Sequence, residues 1–183
     1  KKFIEINAGN SGTFARLILG FLVNYPGVVK ISGDKSLSKR DFSRITIPLS
    51  QFGANIVNAN NSLPVKISGT EYLRPIDYIE KLGSAQCKSS IMFAALKTPG
   101  ITKVKAKKSR NHTEILLKNL KVPIKISNKK NYDLFKIRGP VNFSGFEYVV
   151  PGDISSSAFF LVMTLLSKNS KLKIINVNIN KSR

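Results

Sequence analysis

Apolar residues near the start of the chain recur with helical spacing. Phe14, Leu17, Ile18, Phe21 and Leu22 fall at i, i+3, i+4, i+7 and i+8, which puts them on one face of a helix over about 11–24. A short β-branched run then predicts a strand at 28–32. A helix near 42–52 and strands near 54–58 and 64–68 follow. After "EYLRPIDY" the alternation restarts, with a helix at 84–97, a strand at 101–106, a helix at 111–120 and strands at 123–128 and 133–138. A third start is expected from a strand at 145–150, a helix at 154–167 and a strand at 170–177. The pattern is a βαβαββ unit with a period of about 70 residues, and a fixed period of this size predicts repeated α/β architecture.

The first helix of each unit opens on small polar residues: "GNSGT", "GSAQCKSS" and "GDISSS". A helix start leaves backbone N–H groups without partners inside the helix and suits an anion. Ordinary capping, by Asn10 or Ser11 in the first unit, accounts for the same residues. A basic turn precedes the second helix in the first two units, "SLSKRDFSR" and "KKSRNHTE", and relates Arg40 to Arg110. Packing of the units with approximate symmetry would gather helix N-termini and guanidinium forks into one anion site. Repeated capping that merely repeats a fold is the alternative.

Composition narrows the picture only partly. Thirty Lys and Arg against ten Asp and Glu give a formal charge of +20. The lysines are spread along the chain, with neither zinc-ligand spacing nor an aromatic RNA-binding strand motif, so the charge favours anionic partners without selecting nucleic acid. The single cysteine, Cys87, excludes an internal disulfide and fits a reducing, cytoplasmic setting. The longest apolar run, "AFFLVMTLL", falls short of the ~20 residues that cross a bilayer. "KKFIEIN" begins as if within a strand, so the sequence reads as part of something larger.

"NAGNSGTFARLILG", "SGDKSLSKRDFSRITIPLSQFGANI", "GSAQCKSSIMFAAL", "KSRNHTEILL" and "VPGDISSSAFFLV" resemble, in this order, the 5-enolpyruvylshikimate-3-phosphate synthase family, in its class II form. The resemblance covers essentially the whole chain. It implies an inside-out α/β barrel fold of repeated βαβαββ units, with residues 1–150 as two units of one lobe and 151–183 as the crossing and start of a unit in the other. It also implies transfer of an enolpyruvyl group from phosphoenolpyruvate to the 5-hydroxyl of shikimate 3-phosphate, without metal or organic cofactor. The implied partners are these two small molecules, with no nucleic acid and no membrane, and the full-length protein is expected to be monomeric.

The same resemblance implies the site residues. Gly12, through its backbone N–H, Asn10, Arg40 and Gln86 are expected around phosphoenolpyruvate. Ser84, Ala85, Gln86, Ser109 and Arg110 are expected around shikimate 3-phosphate. The family's proton-transfer residues match no position here, so no catalytic residue is assigned and the 183 residues alone are expected to be inactive. Arg16 reads as a brace for the first loop, and Lys88 as an exposed side chain with a reach towards the site. His112 stands without the neighbours a metal needs, and Asp153 reads as a helix cap. Cys87 reads as a small buried residue, with a lowered pKa at a helix start as the alternative. Asn111 stands where the family has Asp, and Asp41 where it commonly has Pro; the latter change is expected to be structural. Two rival readings remain. A UDP-N-acetylglucosamine enolpyruvyl transferase would need a Pro-Gly-Gly-Cys loop, which the sequence lacks. A basic nucleic-acid-binding module would need only the charge.

Overall fold

A computed structural model describes residues 2–142 and 144–182. They fall into two compact units, one within 1–142 and the other within 143–183.

The first unit builds one strand order twice. Strands β1 (Phe3–Asn7), β2 (Val28–Ser32), β3 (Asn55–Asn58) and β4 (Val65–Ser68) form a sheet in the order β1-β2-β4-β3. Strands β5 (Asp77–Glu80), β6 (Gly100–Lys107), β7 (Ile124–Asn128) and β8 (Tyr132–Gly139) form a second, in the order β5-β6-β8-β7. Each sheet starts with a parallel pair and continues with antiparallel ones. Helices α1 (Gly12–Phe21) and α3 (Ala85–Ala95) are the crossovers of the parallel pairs; α2 (Ser43–Gln51) and α4 (His112–Asn119) precede the hairpins. The expected strands and helices of both repeats are thus present, and β5 is an additional strand that the pattern did not single out.

Strand alternation separates the two faces of each sheet. In the first, Ile4, Val29, Ile67 and Ile56 stand opposite one another across the strands and face the core. In the second, Tyr78, Val104, Phe135 and Ile126 repeat that row. The other faces carry charge: Glu5, Lys30 and Lys66 in one sheet, and Asp77, Lys103, Lys136 and Lys125 in the other. Lys30 pairs with Glu5 at 2.9 Å and Lys103 with Asp77 at 3.3 Å.

Helices α1 and α3 pack against each other between the repeats. The approach is close because Gly20 lacks a side chain; a Cβ there would lie 2.3 Å from the Ser90 carbonyl oxygen. Phe21, next to Gly20, stacks at 4.3 Å on Phe93, one turn beyond Ser90. The packing sets the N-terminal turns of both helices side by side.

The second unit contains α5 (Ile154–Leu166), capped by Asp153, which accepts from the Ser155 N–H as expected. The strands expected at 145–150 and 170–177 are not formed. A strand needs a neighbour to pair with, and among the described residues beyond 142 only one bridge exists, between Gly152 and Val177. Helix α5 leaves Phe159, Met163 and Leu165 exposed.

Candidate anion-binding site

The loop between β1 and α1 and the turn before α2 are tied together by Asp34. Its carboxylate accepts from the Asn10 side-chain amide at 2.6 Å and from the Leu37 N–H at 2.7 Å. The Leu37 N–H and then Asn10 hold the Asp34 carboxyl below its ordinary value. Ser11, rather than Asn10, caps α1, accepting from the Phe14 N–H at 3.2 Å.

Gly12 sits where two guanidinium groups meet. A Cβ built on it would lie 3.2 Å from Arg40 Nη1, 3.3 Å from Arg16 Nη1 and 3.3 Å from Leu37 Cδ1. Its own N–H donates to the Asn10 carbonyl at 3.0 Å, so the outward donor expected at this position is turned back onto the loop. What glycine supplies here is room between the two cations.

Arg16 is the centre of this arrangement. It is 7% exposed, lies 5.0 Å over the Phe42 ring, and donates to the Asp41 carbonyl at 3.2 Å. Its Nη1 donates to Gln86 Oε1 at 2.8 Å. Gln86 Nε2 donates in turn to Thr13 Oγ1 at 2.7 Å. The amide of Gln86 is therefore fixed with its oxygen inward, and its second N–H is left to donate. Burial, and then the charges of Arg44 and Arg40, pull the Arg16 guanidinium below its ordinary value. Crowded cations of this kind are relieved by an anion.

Next to this cluster, Thr13, Leu17, Ala85, Gln86, Ser89, Arg110, His112 and Thr113 line a cavity of about 120 Å³. Ala85 is the first residue of α3, and Ser84 caps that helix, accepting from the Cys87 N–H at 3.2 Å. The Ser84 hydroxyl keeps its own proton for another acceptor. The buried Ser109 Oγ, beside Arg110, has no hydrogen-bond partner. Gly12 and Arg40 thus lie beside the Arg16 that Gln86 binds, Asn10 is tied to the same loop through Asp34, and Ala85, Gln86 and Arg110 line the cavity. Ser84 and Ser109 flank that cavity without lining it.

Lys88 is not an exposed side chain with a reach to the cavity; it is 1% exposed and paired with Glu114. Its position on the inward side of α3 decides this. Cys87 is buried, and desolvation pushes its thiol up to about 12, so the lowered-pKa alternative is excluded. Asp41 accepts from both the N–H and the hydroxyl of Ser43 at 2.8 Å, a structural role at the start of α2. Sequence reasoning missed Thr13, Ser89 and Thr113; the placement of Thr13 directly after Gly12 was the available signal.

Tandem βαβαββ repeats whose crossover helices pack with their N-terminal turns side by side define a class of α/β repeat proteins. The chain belongs to the EPSP synthase (3-phosphoshikimate 1-carboxyvinyltransferase) family, whose model matches residues 2–183. It is 44% identical over 181 residues to the 3-phosphoshikimate 1-carboxyvinyltransferase of Lactococcus lactis subsp. cremoris, covering 97% of the chain and 41% of that protein. Identity to the Enterococcus faecalis protein of the same name is 41%, covering 97% of the chain and 42% of the relative. An EPSP synthase structure from Acinetobacter baumannii superposes with a TM-score of 0.79 at 35% identity, over 96% of this chain and 40% of that one. The chain therefore spans about two-fifths of these relatives' length. Among the described residues, no helix is long and apolar enough to cross a membrane.

Proposed function

We propose that this chain carries substrate-binding residues of an enolpyruvyl transfer from phosphoenolpyruvate to the 5-hydroxyl of shikimate 3-phosphate, with release of inorganic phosphate. The observation that carries the reading is that Gln86, bonded to Arg16, also lines the cavity that Arg110 lines. Arg16 lies with Arg40 beside Gly12, and Arg110 borders the cavity. Two anionic substrates that must meet need two cationic groups and a donor they can share.

In this reading the carboxylate or phosphate of phosphoenolpyruvate approaches Arg40 across Gly12, in a loop shaped by Asn10, and Gln86 donates to it. Shikimate 3-phosphate is held on the α3 side by Ser84, Ala85, Gln86, Ser109 and Arg110. The unpartnered Ser109 hydroxyl then gains an acceptor. Proton transfer is assigned to no residue of this chain. The reaction, addition followed by elimination through a tetrahedral intermediate, calls on no cofactor, and the protein works as a cytoplasmic monomer.

Calorimetric titration tests the reading. Shikimate 3-phosphate gives saturable heat with the chain at low ionic strength, salt weakens the binding, and Arg110→Ala removes it. Lack of saturable binding with either substrate overturns the proposal.

A further inference from the structure

Lys88 is among the largest fully buried side chains of the chain and takes no part in the cavity it lies beside. Its ammonium donates to the backbone carbonyl of Arg110 at 2.9 Å. It also pairs with Glu114 Oε1 and lies 5.4 Å from the Phe135 ring centroid. Glu114, on the first turn of α4, is 4% exposed, and its carboxylate is held by the charge of Lys88 rather than by an aligned hydrogen bond. One residue along, the Ser89 and Thr113 hydroxyls share a hydrogen bond at 2.6 Å. Helix α3 therefore grips the turn that presents Arg110 at two successive positions.

The first repeat shows what the fold itself requires there. Helix caps Ser11 and Ser84 correspond, which sets Ala15 against Lys88. Cap positions Phe42 and Asn111 correspond, which sets Ile45 against Glu114. Ala15 and Ile45 are both fully buried. The same frame is thus filled by two buried apolar residues in one copy and an ion pair in the other. A buried ion pair rarely outdoes apolar side chains in stability, because both ions lose their hydration. What the charged pair adds is the bond to the Arg110 carbonyl.

We propose that Lys88 and Glu114 are positioning residues that lock the Arg110 turn against α3, so that the guanidinium enters its anion site from a fixed backbone. Locking lowers the ordering cost of binding a phosphate group. The identity of that ligand as shikimate 3-phosphate rests on the function proposed above; the locking does not.

The test is the neutral double variant Lys88→Met/Glu114→Leu, which gives the second repeat two apolar residues there, as in the first. Amide hydrogen exchange of Ile115 to Leu117, the first α4 amides bonded back to this turn, is expected to accelerate at least about tenfold in the full 183-residue chain, the loss of one buried hydrogen bond. Exchange in β6 and β8 stays unchanged, and the melting temperature is equal or higher. Lys88→Met/Glu114→Gln keeps the shape of both side chains and replaces the first variant if that one does not fold. Unchanged exchange at Ile115 to Leu117 overturns the proposal. So does faster exchange throughout with a lower melting temperature, which would make the pair a stabilising element only. Shikimate 3-phosphate titration is run in parallel, with an expected affinity loss of about tenfold. A wild-type chain that binds none refutes the substrate assignment while the exchange result still decides the locking.

Discussion

The thiol of Cys87 donates to the carbonyl oxygen of Arg44 at 3.0 Å. That carbonyl lies four residues before Pro48, which sits inside α2 and has no N–H to return the helical bond. A cysteine on α3 thus completes a hydrogen bond that the sequence of α2 leaves open. The contact joins the crossover helix of the second repeat to the helix that follows the Arg40 turn, and gives Cys87 a structural role.

Cys87→Ala is therefore expected to lower stability by about 1–3 kcal/mol, since it leaves a buried acceptor unpaired. Cys87→Ser keeps a donor and loses less. Urea unfolding of both variants gives the comparison; equal midpoints would show that the thiol contributes through volume alone.

The raised thiol pKa makes stability depend on alkali. Below the ordinary value near 9 the thiol is protonated whether the chain is folded or not. Above it the unfolded chain gives up the proton, while the folded chain keeps it to about 12. Stability is thus lost as pH rises through this window. The unfolding midpoint of the wild type is expected to fall more steeply there than that of Cys87→Ala, and parallel curves would contradict the assignment.

Gly12→Ala inserts a methyl group against two guanidinium ends and a leucine, all at the near limit of contact. The arginine ends can yield by a few tenths of an ångström, so the fold survives. The expected outcome is a several-fold weaker phosphoenolpyruvate affinity, unchanged shikimate 3-phosphate affinity and a nearly unchanged melting temperature. Calorimetry and thermal melting read all three.

Arg40→Ala is expected to weaken phosphoenolpyruvate binding by roughly 10- to 100-fold, the effect of losing a charge-assisted contact of ~1.5–3 kcal/mol. Arg40→Lys recovers part of it, because an ammonium lacks the planar fork. Wild-type affinity in the alanine variant would make Arg40 an ordinary surface charge.

Gly20→Ala is a test of packing. Its new Cβ would meet the Ser90 backbone at 2.3 Å, a distance no side-chain adjustment relieves. Helices α1 and α3 must separate, at a cost of about 1–3 kcal/mol or more. A melting temperature within about 2 °C of the wild type would show that the helices can part without penalty.

Periodicity located the helices and strands of both repeats because each buries one face, and a one-sided residue pattern records that directly. Strand β5 escaped notice: it is four residues long, and its alternation places Tyr78 and Glu80 inward while Asp77 and Ile79 face out. The segments 145–150 and 170–177 have strand-like sequences, yet pairing depends on neighbours, which local pattern does not encode. At the candidate site, the motifs singled out Gly12, Arg40, Gln86 and Arg110, and the fold puts Gly12 and Arg40 beside Arg16 and lines a cavity with Gln86 and Arg110. They did not show the burial of Lys88, since an inward lysine is legible only once Glu114 and the Arg110 carbonyl stand opposite it. The Arg16–Gln86 bond was equally hidden, because it joins helices from two repeats.

The lysines that face one another across β6, β8 and β7 have a consequence for the chain as a colloid. Lys103, Lys136 and Lys125 form a row in which, among the described residues, only Lys103 has an acidic partner, Asp77. Two copies approaching face to face, or adding strand to strand at β7, bring like charges together before any backbone bond can form. At low ionic strength that barrier reaches tens of ångströms; near 1 M salt it shrinks to about 3 Å. Concentrated stocks are thus protected by dilute buffer and exposed to clustering by the high salt often added to keep basic proteins in solution.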